Sequence, residues 1–320
     1  MLTLPSPLAT PLIISGHVAA KVMLDLTIYL TGPSEAELEY LIDLYEYVCP
    51  FDRMVKYRIT EVEFWQLLDP LVLTASGRAA EAAGIRRPYI EPVRKRIRDG
   101  RAFDLQFWDG NSIDDFNESW SFSCRRIHKR STGLHTFLRF LIPLKADYNI
   151  LQKIAFAIAD KVGIYSGHGG LVFVYDPWYK ESALDNIYAQ ARRFWGVDVE
   201  DMNRTLPLMK NHIKGVNWIT MIGQSFIARP EIRSTLDHLM HTQNVAVEQM
   251  ANATVLVAGP TPIVGDQHRV DHSLDPYYSV AEALKPLFLD MHPDFSSERF
   301  VKNSNTLGWI RRFIDPNGWR

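Results

Sequence analysis

The stretch that decides the fold is YSGHGGLVFVYDPWY, residues 165–179. Its apolar run LVFVY is rich in β-branched and aromatic residues, so it predicts a strand. The glycines before the run indicate backbone freedom where a helix ends at Gly163, a residue suited to a left-handed cap, and a strand begins at Leu171. His168 lies among these glycines, and three roles are open for it: catalytic residue, metal ligand or structural residue. We expect His168 to hydrogen-bond locally.

Helical and strand patterns alternate on both sides of this stretch. KVMLDLTIYL, residues 21–30, and MVKYRIT, residues 54–60, are typical of strands. Ser34 followed by Glu37 is a capping box and predicts the start of an amphipathic helix. NVAVEQMANATVLVAG, residues 244–259, predicts a hairpin that turns at Ala251-Asn252.

The order of these elements predicts an α+β fold. Because hairpins recur among the alternating strands and helices, we expect mixed or mostly antiparallel sheets flanked by helices. The chain is interpreted as a single compact domain over residues 1–320. Within it we expect two lobes, residues 1–144 and 145–320.

The composition excludes several classes of protein. A formal net charge of −2 provides no concentrated basic face, so direct binding of nucleic acid is not expected. No uninterrupted apolar run approaches the roughly 18 residues of a membrane span, and residues 1–20 lack the positive start of a signal peptide. Two cysteines, Cys49 and Cys124, are too few for a disulfide framework. We therefore expect a cytoplasmic protein without membrane contact.

A serine hydrolase of the esterase type is the alternative function. His168-Gly169-Gly170 is similar to the segment that supplies backbone oxyanion donors in lipase-like enzymes. Ser225 lies between a predicted strand and a predicted helix, which is the context of a nucleophile elbow. Ile227 stands where the elbow needs its second glycine. We therefore interpret Gly223 as a loop residue and Ser225 as a helix N-cap.

A catalytic triad would also need an acid and a histidine further along the chain. Asp266 or Asp271, followed by His292, would complete the order Ser, Asp, His. Such a trio occurs by chance in most chains of this length. No catalytic residue is therefore predicted.

Histidines and acids also occur together without a metal-binding motif. The residues are His268 and His272 with Asp266 and Asp271, and the helical pair His238 and His241. Neither set has the H-E-x-x-H spacing, and the paired acids and lysine of a nuclease core have no convincing match. Glycine-rich phosphate loops are also absent from the sequence. We expect no metal and no cofactor.

Two segments are candidates for contact with a protein partner. The candidate residues are Asp114, Asp115, Phe116 and Glu118 in the acidic stretch DGNSIDDFNES, and Trp178 and Tyr179 after the central strand. The simpler interpretations are a solvated loop for the acids and buried packing for the aromatics. An acidic segment suits a basic partner, and an exposed Trp-Tyr pair suits an interface anchor.

Three motifs carry a resemblance to a known family. YSGHGGLVFVYDPWY at 165–179, GVDVEDMNRTLPLMKNHIKGVNWITMIG at 196–223 and VLVAGPTPIVGDQHR at 255–269 occur in this order. Together they resemble the bacterial type VI secretion immunity family labelled "immunity for VRR-NUC", and KGVNWIT at 214–220 is the most specific element. The similarity is clearest over 165–287 and extends more loosely from residue 24.

The resemblance implies a binding protein rather than an enzyme. Members of this family are encoded beside nuclease effectors that type VI systems inject into rival cells, and they have no assigned catalytic residues. The implied partner is thus a cognate nuclease effector, which the protein would neutralise by stoichiometric binding. Blocking of the active site and blocking of toxin assembly are both open, with steric occlusion favoured. A component or chaperone of the secretion apparatus is a third interpretation.

Overall fold

The computed structural model describes residues 2–48, 56–60, 90–108, 120–129, 133–269 and 273–319. Within these residues, eleven strands form one sheet. The strands are β1 Leu12–Ile14, β2 His17–Leu30, β3 Lys56–Thr60, β4 Phe103–Trp108, β5 Ser121–Lys129, β6 Gly133–Ile142, β7 Ile164–Tyr175, β8 Val197–Val199, β9 Ile219–Gly223, β10 Val245–Gln249 and β11 Ala253–Ala258.

Helices flank this sheet. The α-helices are α1 Ser6–Ala9, α2 Glu35–Val48, α3 Ile90–Arg98, α4 Asn149–Lys161, α5 Lys180–Arg193, α6 Met202–Thr205, α7 Gln224–Ile227, α8 Pro230–Leu239, α9 Asp275–Ala283, α10 Glu298–Val301, α11 Asn305–Ile310 and α12 Pro316–Trp319. Short 3-10 turns lie at Pro177–Tyr179, Leu206–Leu208, Lys285–Leu287 and Lys302–Ser304.

The sheet has the order β10-β11-β9-β7-β2-β6-β5-β4-β3, with β1 beside β2 and β8 beside β7. The β7–β8 pair is parallel and the other strand pairs are antiparallel. The prediction of an α+β fold with mostly antiparallel pairing and flanking helices is therefore confirmed. Strands from before and after residue 144 share this sheet, and the division into lobes at that residue stays a prediction.

The edge of β7 that faces away from β2 changes its pairing partner at Gly170. β9 pairs with the residues from Ser166 to Gly169, and β8 pairs with those from Leu171 to Phe173. Between them, Gly170 has a φ of +153°, a conformation that L side chains rarely adopt, and an added Cβ would lie 2.4 Å from Asn217 Oδ1. The glycines before the apolar run therefore allow one strand to serve two neighbours.

The two faces of the central strand β2 differ in chemistry. Leu24, Leu26 and Ile28 alternate onto one face and belong to the main apolar core together with residues of α2 and α4. Asp25 and Thr27 are also buried, but their side chains point to the opposite face. A polar row therefore lies under the centre of the sheet, and it needs partners there because unpaired buried polar groups are costly.

Two predictions about the start of β7 are wrong: the strand begins at Ile164 and not at Leu171, and Gly163 is not a left-handed cap. Gly163 follows α4, but its φ is not positive. Its N–H donates to the Glu37 carboxylate over 3.1 Å, and its carbonyl accepts from the Thr31 hydroxyl over 3.1 Å. An added Cβ would lie 2.7 Å from Thr31 Oγ1. Gly163 is thus explained by close approach of the chain after β2, and not by a left-handed cap.

Gly223 provides a test of this packing. It ends β9, and an added Cβ would lie 1.9 Å from the Ile164 carbonyl oxygen. We expect Gly223→Ala to lower the free energy of unfolding by about 1–3 kcal/mol, measured by urea denaturation, because backbone atoms must shift. The control is Gly215→Ala, where the nearest atom to the new Cβ is 3.4 Å away. Equal losses in both variants would contradict this account.

Candidate functional site

Four charged or titratable side chains meet in the polar layer below the sheet. We call His168, Asp198, Glu200 and Lys214 the buried cluster. His168 lies on β7 opposite Thr220 of β9, and Asp198 lies on β8. Glu200 follows β8 directly, and Lys214 lies in the segment before β9. All four are at least nine-tenths buried, so their charges must be compensated within the protein.

Lys214 compensates both carboxylates. Its Nζ donates to Asp198 Oδ2 over 2.6 Å, to Glu200 Oε2 over 2.7 Å and to the Val199 carbonyl over 2.7 Å. These three acceptors match the three N–H donors of an ammonium group. Because hydrogen bonds between charged groups are the strong ones, Lys214 ties its own segment to the middle and the C-terminal end of β8.

His168 joins the same two carboxylates. Its Nε2 lies 3.2 Å from Glu200 Oε2 and 3.3 Å from Asp198 Oδ2. Burial alone would lower the pKa of His168, but the hydrogen bonds to Asp198 and then Glu200 outweigh it, and the pKa is raised. The local hydrogen bond predicted for His168 is therefore wrong, since its partner Glu200 lies 32 residues along the chain.

The pKa values of the two carboxyl groups are lowered despite their burial. Burial would raise them, but the Lys214 ammonium and the His168 hydrogen bond dominate. The pKa of Asp198 is held well below its usual range, and that of Glu200 is lowered to about 2. Both groups are thus carboxylates at neutral pH, and the cluster is an ion network rather than a set of poised acids and bases.

A second buried cation closes the cluster on the side of the C-terminal helices. The Arg312 guanidinium lies 3.6 Å from the ring centroid of Trp309 and donates to the Trp195 carbonyl over 2.8 Å. Burial lowers the pKa of Arg312 to about 10, while the charge of Asp198 opposes this shift. Arg312 therefore stays protonated at neutral pH and adds positive charge beside the carboxylates.

Other ion pairs extend the polar layer along the sheet. Asp25 on β2 accepts from Arg139 Nε over 2.9 Å and from the Thr27 hydroxyl over 3.0 Å. Tyr29, two residues further, has its ring centroid 5.9 Å from that of His168. Burial, and next the charge of Glu200, raise the pKa of Tyr29 well above its usual value. The layer is thus a connected set of charges and hydroxyls from separate strands.

The space inside the cluster is too small for a substrate. A cavity of about 10 Å³ touches the cluster, which is room for about one water molecule. Its polar lining consists of His168, Asp198, Lys214, Asn217 and Arg312. Pockets that bind small molecules are typically ~300–1,000 Å³. The arrangement can hold segments of the chain together, and it has no room to bind and turn over a ligand.

The proposed hydrolase residues are not brought together. Ser225 is exposed on α7, whose N-cap is Gly223, so the prediction of Ser225 as an N-cap is wrong. Ser225 does not line the cavity beside His168. Gly169 and Gly170 lie within the β2–β7 ladder. Ser225 and the histidine that a serine hydrolase would require therefore do not share one pocket.

The proposed triad partners have other roles. His292 lies 3.2 Å from the Thr205 hydroxyl through Nε2 and 2.6 Å from the Pro293 carbonyl through Nδ1. Asp266 is paired with Arg193 through two hydrogen bonds of 2.8 Å. Asp271 lies outside the described residues. The geometry therefore does not support a serine hydrolase.

Within the described residues, the histidines considered for a metal site do not belong to a cluster of three potential metal ligands. His238, His241 and His268 are exposed, and His272 is outside the described residues. Among the described residues, His168, Asp198 and Glu200 are the set of three whose ligand atoms lie within 4.8 Å of one another. Sequence reasoning missed Asp198, Glu200 and Lys214. The available signal was charge inside the apolar segments GVDVED and KGVNWIT.

The predicted partner contacts are described only in part. Asp114, Asp115, Phe116 and Glu118 lie outside the described residues. Trp178 is 84% exposed, so the simpler interpretation of buried packing is wrong for this side chain. Tyr179 is half-buried and stacks on His17, with 6.1 Å between ring centroids. Trp178 thus protrudes from the surface while Tyr179 supports the turn beneath it.

Comparison with known proteins places this fold among type VI immunity proteins. The family described as "Type VI immunity for VRR-NUC" matches residues 72–313, which include the whole buried cluster. The chain belongs to this family, and it is an immunity protein against a VRR-NUC effector. The resemblance inferred from residues 165–269 is therefore confirmed.

A solved structure has the same fold. The Pseudomonas aeruginosa T6SS protein PA0821 is similar with a TM-score of 0.70 and 17% sequence identity. The alignment covers 98% of this chain and 91% of that chain. No curated protein matches this chain. Over the parts of the chain that the structure describes, no helix combines the length and apolar character that crossing a membrane requires.

The buried cluster predicts a strong effect of removing Lys214. In Lys214→Met the side chain still fills space, but two buried carboxylates lose their cation. We expect the free energy of unfolding to fall by about 3–5 kcal/mol, measured by urea denaturation. Lys210→Met is the matched control, because Lys210 is exposed. Coincident unfolding curves for the two variants would show that the ion network contributes nothing to stability.

Proposed function

We propose that this immunity protein neutralises its VRR-NUC effector by forming a stoichiometric complex, without a chemical step. We further propose that residues 176–179, here called the tryptophan turn, contact the effector. The observation that carries the proposal is the exposure of Trp178, at 84% of its surface. Large exposed aromatic side chains are costly to leave in water, and tryptophan is enriched among the residues that dominate binding energy.

The tryptophan turn is held in one conformation by local hydrogen bonds. The Asp176 carboxylate accepts from the Trp178 backbone N–H over 2.8 Å. The Asp176 N–H donates to the Ala19 carbonyl over 2.9 Å. Pro177 restricts the backbone further. Because little freedom is left to lose, binding through Trp178 would cost little conformational entropy.

The turn is also anchored on both sides to the segment that carries the buried cluster. Before it, the Tyr175 hydroxyl donates to the Glu200 carbonyl over 2.8 Å. After it, Lys180 Nζ lies 2.7 Å from Asp201 Oδ2. These two contacts fix the turn that carries Trp178 to the polar layer. This supports a pre-formed binding surface.

A groove next to the tryptophan turn offers room for a segment of the effector. Its volume is about 550 Å³, and Glu181, three residues after Trp178, contributes to its lining. The other side includes Val301, which is 51% exposed. Charged residues of both signs surround this apolar side chain. Interfaces commonly combine apolar contacts with a polar rim.

The acidic stretch remains a second proposed contact. Asp114, Asp115, Phe116 and Glu118 combine negative charge with an aromatic side chain. A nuclease that binds phosphates carries basic groups, which would attract this segment. Because the net charge of the immunity protein is only −2, we infer that such attraction is local and that inhibition rests on steric occlusion.

The proposed place of action is the cytoplasm. A nuclease effector damages the nucleic acid of the cell, so its inhibitor must meet it in the same compartment. Cys124 is a free, buried thiol whose pKa burial raises to about 12. A thiol of this kind is compatible with a reducing compartment.

The interface is tested by Trp178→Ala. We expect this substitution to weaken the complex with the neighbouring nuclease by about 30-fold or more, as for a central interface anchor. Binding is measured by calorimetry, and protection by survival on co-expression. Tyr47→Ala is the control, because Tyr47 is 82% exposed on a different element, α2. Unchanged affinity of Trp178→Ala, with intact folding, would exclude the tryptophan turn from the interface.

The mode of action is tested with the wild-type chain. Nuclease activity should fall linearly with added immunity protein and reach zero at one equivalent, whereas an enzyme would act at substoichiometric amounts. Ser225→Ala should protect as well as wild type, because Ser225 is exposed on α7 and does not line the cavity beside His168. If cells die equally with and without the immunity protein, and no complex survives gel filtration, the proposed function fails.

A further inference from the structure

The buried cluster has the donor set of a metal site. An imidazole and two carboxylates are ligands that Zn²⁺ and other divalent transition metals accept. The Nε2 of His168 lies 3.3 Å from Asp198 Oδ2 and 3.2 Å from Glu200 Oε2. Ligand atoms at tetrahedral corners around Zn²⁺ lie about 3.3–3.6 Å apart for bonds of ~2.0–2.2 Å. The separation to Asp198 falls in this range and the separation to Glu200 lies just below it, so a small movement of the side chains would fit a shared tetrahedral ion.

Lys214 already binds the carboxylate oxygens for which such an ion would compete. Its ammonium lies 2.6 Å and 2.7 Å from the same two carboxylate oxygens that face His168. A divalent ion at this point would have to displace the ammonium and leave it buried without partners, which is costly. Arg312 also lines the cavity and adds further positive charge. The carboxylates are thus neutralised from within the chain.

Two features leave coordination capacity beyond what Lys214 uses. Glu200 is 3% exposed, and its second oxygen, Oε1, is buried without a hydrogen-bond partner. The small cavity borders Lys214 itself, and Asn217 also lines it. Shortening Lys214 would enlarge this cavity toward the carboxylates. Room for a metal ion and a water ligand would then exist beside three preformed donors.

From this geometry we infer that His168, Asp198 and Glu200 form a divalent-cation site that the Lys214 ammonium keeps closed. The wild-type protein carries its own cation and stays metal-free. Replacement of Lys214 by a short neutral side chain opens the site to a transition metal such as Zn²⁺. This site is a property of the buried cluster, and it does not depend on how the effector is bound.

Lys214→Ala tests the inference directly, with Zn²⁺ as the probe on untagged protein. We expect one Zn²⁺ per chain, bound at least about 100-fold more tightly than by wild type, with a rise in melting temperature because metal binds the folded state. Lys214→Met is the matched control: it removes the charge but fills the space. It should be destabilised like Lys214→Ala and should not be rescued by Zn²⁺.

Each further outcome counts for or against the site. The double variant Lys214→Ala/His168→Ala should lose the tight Zn²⁺ binding, which separates the cluster from the exposed histidines. If Lys214→Ala folds only with Zn²⁺ and not with EDTA, the inference is supported. If it stays unfolded in both, or folds without tight binding of Zn²⁺, the inference is wrong. Tight binding of one Zn²⁺ by the wild-type chain would show that Lys214 does not close the site.

Discussion

The ammonium of Lys214 is the contact on which the second half of the fold depends. It satisfies two carboxylates and one carbonyl within 2.7 Å, in a place with almost no access to water. Without it, the carboxylates of Asp198 and Glu200 would lie side by side in the buried layer without the ammonium that compensates them. With it, β7 can pair with β9 on one stretch and with β8 on the next. The backbone conformation of Gly170 permits the change of partner, and the ion network holds β8 in place beside β7.

The polar layer has the properties of a scaffold rather than those of a catalytic centre. Catalytic groups need space for a substrate and protonation states that can change near neutral pH. Here the carboxylates are fixed as anions by a cation, and the remaining space holds about one water molecule. What the layer provides is rigidity. Tyr175 and Lys180 connect this layer to residues 176–179, the turn that carries the exposed Trp178.

Local patterns in the sequence were sufficient for the class of fold. The strand at residues 21–30 and the hairpin that turns at Ala251-Asn252 were predicted correctly, since each is defined by neighbouring residues. β8 has only three residues, too few for a periodic signal.

The buried cluster could not be predicted in the same way. His168 and Lys214 are 46 positions apart in the sequence and meet only through the order of the strands. A charged residue in an apolar segment indicates that a charge is buried, but it does not indicate which residue compensates that charge. The family motif KGVNWIT was recognised as a pattern, whereas the role of its lysine became evident only from the contacts.

The central position of β2 has a consequence for synthesis of the chain. The residues of β6 and β7 that pair with it lie 106 or more positions later in the chain, as the Leu30–Thr136 pair shows. At ~5–20 residues per second, a ribosome needs roughly ten seconds to deliver the first of them. For that time residues 24–30 of β2 lack their neighbouring strand on both edges. A cell that relies on this protein for protection therefore depends on keeping a half-made chain from aggregating.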